Sequence, residues 1–112
     1  MTMPIRAAVS LAVLTAFVSA TAAAADIEAG KKKVQEVCAA CHGIDGAQPT
    51  TPEYPKLAGQ YPDYLAKALR DYKSGARKNP IMAGMAAGLT TQDIENISAY
   101  FYTQPSVLAS KY

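Results

Sequence analysis

The chain has 112 residues, two cysteines, one histidine, no tryptophan and a formal charge of +2. That length holds a single domain, and a near-neutral balance without a Gly-rich phosphate loop gives no basis for nucleic-acid binding. The hydrophobic fraction of 50% is inflated by an alanine-rich start.

That start reads as a targeting segment. Residues 1–6 carry one positive charge, at Arg6. Residues 7–18 are small and apolar apart from Ser10 and Thr15, and Ala23-Ala24-Ala25 fits the small-x-small cleavage rule before Asp26. Residues 1–25 are therefore expected to be a cleaved secretory signal peptide. The apolar run is shorter than the ~20 residues that a membrane-spanning helix needs. Export places the remainder, a domain over 26–105 and a tail over 106–112, in the periplasm.

Asp26 can cap a first helix. Ile27, Gly30, Val34, Val37, Cys38 and Cys41 recur at three- and four-residue steps, so this helix carries both cysteines on one face. Gly30 on that face permits close approach of another backbone. Lys31, Lys32 and Lys33 read as a solvated run.

Cys38-Ala39-Ala40-Cys41-His42 is a C-x-x-C-H sequence, the attachment signature of a c-type haem. Two thiols about one helical turn apart point the same way and can add across the vinyl groups of one porphyrin. The adjacent His42 then supplies an imidazole nitrogen to iron. A zinc site needs four ligands, and only two cysteines and one histidine are present. A thioredoxin-like dithiol needs its cysteines at a helix N-terminus, whereas this pair comes late in its helix. A plain disulfide leaves His42 unexplained. One haem c, bound covalently through Cys38 and Cys41, is the expected cofactor.

Gly43 ends the helix. Gly46, Pro49, Pro52, Pro55 and Gly59 keep the next stretch irregular, and a structureless loop of about twenty residues in so small a domain must wrap something. In it, Leu57 can pack on the porphyrin while Pro55 rigidifies the approach. Tyr61-Pro62-Asp63 opens a second helix, with Leu65, Ala68, Leu69 and Tyr72 as its apolar stripe and Asp63 and Lys67 spaced to pair outside. Ser74-Gly75 stops it. Residues 77–82 read as a loop, because Asn79 precedes a proline, and Met85 falls in a short turn. Thr90-Thr91-Gln92-Asp93 resembles a capping box opening a last helix to about Thr103, with Ile94, Ile97, Tyr100 and Phe101 inward. No strand pattern occurs, so the expected fold is all-α, three to four main helices around one haem. A sixth iron ligand must come from Met82 or Met85, and spacing alone leaves both open.

With these motifs in place, the chain resembles the class I c-type cytochromes, in particular the c4/c553-like group. Carrying the resemblance are Cys38-Ala39-Ala40-Cys41-His42-Gly43 with Asp45-Gly46, then Tyr54-Pro55-Lys56-Leu57-Ala58-Gly59-Gln60, Tyr64-Leu65, Gly75-Ala76-Arg77, Met82, Leu89-Thr90 and Ala99-Tyr100-Phe101. The Pro-Lys-Leu-Ala-Gly-Gln segment is the specific one. The resemblance implies that the Pro55 carbonyl accepts the Nδ1–H of His42, that the first and last helices pack through Gly30 and Tyr100, and that Met82, seven residues before Leu89, is the sixth ligand. Ala68 departs from the Gln frequent there in the family.

The function expected from this is a soluble periplasmic electron carrier, shuttling single electrons through a haem ligated by His42 and Met82. Cofactor contacts are expected from Cys38, Cys41, His42, Pro55, Leu57 and Met82. No nucleophile–base pair or acidic dyad is visible, so no enzyme activity and no small-molecule substrate are expected. Partners are redox proteins in transient contact, a membrane-bound oxidase or reductase among them. The alternative is a haem c subunit of a periplasmic oxidoreductase complex, such as a flavocytochrome dehydrogenase.

Overall fold

The computed structural model describes residues 23–106, with Ala16 and Ser19 besides. The expected signal peptide falls mostly outside the described residues, as does the tail beyond Ser106. Five helices follow one another: α1 (Ile27–Val37), α2 (Ala39–His42), α3 (Pro62–Ser74), α4 (Pro80–Ala87) and α5 (Thr91–Tyr102). There is no strand among the described residues, so the all-α expectation holds, with four main helices and one short turn of helix. No helix among them is long and apolar enough to cross a membrane.

Two local expectations need correction. The first helix does not run through the cysteines: Cys38 stands between α1 and α2 with φ −106° and ψ −36°. Its N–H is still bonded to Val34 at 2.9 Å, while its carbonyl accepts the His42 N–H at 3.0 Å and starts a new turn. Secondly, residues 80–87 form a helix rather than a loop and a turn. Asn79 is indeed extended, as a residue before proline should be, but it serves as the N-cap: its Oδ1 accepts the N–H groups of Ile81 and Met82, both at 3.0 Å. Pro80 then occupies the first helical position, where its missing N–H costs nothing.

Elsewhere the caps work as read. Asp26 Oδ1 accepts the Ala29 N–H at 3.0 Å, and Thr90 and Asp93 form a reciprocal capping box. Lys67 pairs with Asp71, one turn further on, and not with Asp63.

α1 packs on α5, and α3 packs on both α4 and α5. Val34, Leu65, Leu89, Ile94, Ile97 and Phe101 form the centre of the core, and each buried side chain of this size contributes about 1.5–3 kcal/mol. α1 and α5 come together at Gly30, where a Cβ would stand 3.1 Å from that of Tyr100.

The segment between α2 and α3 is irregular yet fixed. The Gly46 carbonyl accepts the N–H groups of Leu57 (2.8 Å) and Ala58 (3.2 Å), and the Gly59 N–H donates to the Phe101 carbonyl at 2.8 Å. The Tyr100 hydroxyl donates to the Ile44 carbonyl at 2.8 Å. Gly46 itself has a φ of 70°, and a Cβ there would lie 2.7 Å from the Phe101 ring, so only glycine fits. These bonds tie the loop to α5 and hold Pro55 and Leu57 near the attachment motif.

Candidate haem site

Between the loop and α3, α4 and α5 lies a cavity of about 410 Å³, within the range of small-molecule and cofactor sites. Leu57, Leu65, Leu69, Leu89, Ile97 and Phe101 give it an apolar wall. All six residues expected to meet the cofactor line it: Cys38, Cys41, His42, Pro55, Leu57 and Met82. They come from α1/α2, from the loop and from α4, so the fold gathers positions far apart in the chain. Met85 lines it as well. It is 47% exposed, whereas Met82 is half-buried.

His42 is buried, and its Nδ1–H donates to the Pro55 carbonyl at 2.9 Å. That bond puts the proton on Nδ1 and leaves Nε2 as the nitrogen with a lone pair, the form a metal-ligating imidazole takes. The Tyr54 ring lies against the imidazole, with centroids 6.2 Å apart at 55°. Cys38 and Cys41 are both free and half-buried. Burial pushes the Cys38 thiol up to about 11, the opposite of an activated redox thiol. Two unpaired thiols, an oriented imidazole and a thioether line one apolar cavity, a donor set that suits a covalently attached haem.

Ala68, where the family often carries Gln, is a half-buried part of the apolar wall. Three tyrosines also reach the cavity: Tyr54, Tyr64 and Tyr72. Tyr72 was legible as part of the α3 stripe; nothing in the spacing marked the other two as cavity residues. The basic residues between Lys56 and Lys78 do not form one unpaired face. Lys67 pairs with Asp71, Arg70 with Glu95 at 2.9 Å, and Lys73 Nζ donates to the Leu89 carbonyl. Lys56 and Arg77 instead stand at the cavity wall.

Comparison with known proteins agrees with this geometry. The cytochrome c family profile matches residues 27–104. Cytochrome c4 of Stutzerimonas stutzeri is 50% identical over 91 residues, which cover 73% of this chain and 42% of that protein. Cytochrome c-554(548) of Halomonas halodenitrificans is 43% identical over 84 residues, covering 72% of this chain and 99% of the relative. Among solved structures, a thiosulfate dehydrogenase from Marichromatium purpuratum superposes with a TM-score of 0.67 at 31% identity, over 77% of this chain and 20% of that one. The chain thus spans less than half the length of the cytochrome c4 it matches. The chain belongs to the cytochrome c family, with a cytochrome c4-like domain whose Cys38 and Cys41 are the attachment pair for covalent haem c.

Proposed function

We propose that this protein is a periplasmic carrier of single electrons, working through a haem c whose iron His42 and Met82 would hold. The carrying observation is that His42 and Met82 line the same apolar cavity as the two thiols. When bound, the haem supplies a ferric/ferrous couple, and a thioether ligand raises its potential relative to two histidines. The Pro55 carbonyl holds the His42 ring and its tautomer. The apolar wall excludes water from the metal. Cys38 and Cys41 keep the group in place through every cycle. With His42 and Met82 both holding the iron, no position would be left for a substrate, which agrees with a carrier and not with an enzyme.

The signal-peptide pattern of residues 1–25 supports the periplasmic assignment. N-terminal sequencing of the mature protein beginning at Asp26 is the corresponding check. The principal experiment is an absorption spectrum of reduced and oxidised protein with and without carbon monoxide. A six-coordinate haem gives no carbon monoxide shift; a five-coordinate one does, and that result overturns the ligand assignment.

A second reading has its own support, since the chain superposes on part of a thiosulfate dehydrogenase. In it, the domain is the haem subunit of a dehydrogenase complex and feeds electrons out of a catalytic partner. Gel filtration of native periplasm separates the two. A carrier elutes alone, and a subunit elutes with a larger enzyme.

A further inference from the structure

We propose that Arg77, seated on the Tyr72 ring at the edge of the cavity, holds a carboxylate of the haem and thereby raises its reduction potential. The inference rests on the reading of the cavity as a haem c site. Haem is an apolar disc with two carboxylates on the edge away from its vinyl groups. An apolar wall cannot take those carboxylates without a large desolvation cost, so they belong where the lining is cationic. The charged side chains of the lining are Glu53, Lys56 and Arg77.

Of the two cations, Arg77 is the one held in place. Its guanidinium carbon lies 4.9 Å from the centroid of the Tyr72 ring, a cation–π seat. Hydrogen bonding with the Tyr64 side chain, followed by the influence of Tyr72, holds the guanidinium above its ordinary range. Its backbone N–H donates to the Asp71 carbonyl at 3.0 Å, which fixes where the side chain starts. Yet among the described residues Arg77 makes no ion pair, whereas Lys67 and Arg70 nearby do. A pre-set planar fork without a carboxylate partner, at the rim of a cavity for a dicarboxylate, is matched to bidentate carboxylate binding. Both side chains are exposed, but Lys56 has no such seat and is a point charge on a flexible stem.

The consequence is electrostatic. A bare carboxylate near the iron favours the ferric state; a guanidinium paired with it removes that preference and favours the ferrous state.

The test uses the haem-loaded protein. The reduced-to-oxidised ratio is measured at one fixed solution potential for the wild type, Arg77→Gln, Arg77→Lys and Lys78→Gln. Haem staining on a denaturing gel and the sulfur–iron band verify that attachment and ligation are intact. Arg77→Gln is expected to lower the ratio about three- to tenfold, as one unit charge does through an effective dielectric of about 20; tenfold corresponds to 59 mV for one electron. Arg77→Lys falls between that variant and the wild type. Lys78→Gln removes the same charge from a residue that does not line the cavity and stays within about twofold of the wild type. An Arg77→Gln ratio within twofold of the wild type, or matched by Lys78→Gln, overturns the inference. If Arg77→Gln fails to accumulate with haem, Tyr72→Leu takes its place, because it removes the ring on which the guanidinium is seated. A fall there of more than twofold upholds the inference, and a ratio within twofold of the wild type overturns it. Absence of covalent haem from the wild type overturns the reading of the cavity and this inference with it; an indifferent Arg77 in a haem-loaded protein overturns this inference alone.

Discussion

Gly30 on α1 lies against the backbone of Asn96 on α5: a Cβ at residue 30 would stand 2.1 Å from the Asn96 carbonyl oxygen. The contact is backbone to backbone, so no side chain can swing aside. It is reinforced by the Asp26 N–H, which donates to Asn96 Oδ1 at 2.8 Å and ties the start of α1 to the same residue.

Gly30→Ala is therefore expected to destabilise the haem-loaded protein by about 2–3 kcal/mol, the cost of overpacking a close helix crossing. Gly84→Ala provides the contrast. Among the described residues nothing lies within 4 Å of a Cβ at residue 84, and replacing glycine inside a helix gains about 0.5–1 kcal/mol. Denaturant unfolding of both variants checks the pair. Equal effects would mean that the close approach carries no cost.

The two methionines of α4 should behave differently although both line the cavity. Met82→Ala is expected to abolish the sulfur–iron charge-transfer band, admit carbon monoxide and lower the potential. Met85→Ala should leave the band, because a side chain 47% exposed is placed as a cavity-edge contact. Loss of the band in the Met85 variant alone would reverse the assignment.

Ser98 is fully buried in α5, and its Oγ has no hydrogen-bond partner among the described residues. A buried hydroxyl left unpaired costs about 1–3 kcal/mol in lost hydration, and alanine is the better helix former. Ser98→Ala should thus raise the melting temperature. A fall of several degrees would reveal a partner for the hydroxyl.

The α5 capping box makes stability depend on acid pH. Asp93 is held below the ordinary aspartate value, first by the backbone N–H of Thr90, then by the Thr90 side chain, Lys33 and Lys73. With its folded pKa depressed, its contribution is present above the unfolded value near pH 4 and is lost as pH falls through the lower folded value. Asp93→Asn should flatten that acid limb in urea titrations at successive pH values. Thr90→Ala should cost about 1 kcal/mol at neutral pH.

Much of the site was legible because its chemistry is local in sequence. C-x-x-C-H needs only five consecutive residues, and a capping box needs four, so Cys38, Cys41, His42 and the Thr90–Asp93 pair stood out without a fold. The stretch from Asn79 to Met82 was misread for a physical reason. The residue before a proline is barred from helix, but the same extended conformation is what an N-cap requires. Only the following apolar turn, and α3 beneath it, decide which outcome holds.

The sequence by itself determined an all-helical domain, a covalent haem and its attachment residues Cys38 and Cys41, and singled out His42 beside them, since each follows from period or spacing along the chain. Tertiary structure alone decided how the distant pieces meet. It brought the Pro55 carbonyl to His42 Nδ1, stitched the irregular loop to α5 through Gly59 and Tyr100, and set Arg77 on Tyr72 at the cavity edge while Lys67 and Arg70 were drawn into pairs. Those contacts join residues by hydrogen bonds and ring faces that have no period in the chain; they exist once helices pack at fixed angles and the backbone between them must satisfy its polar groups.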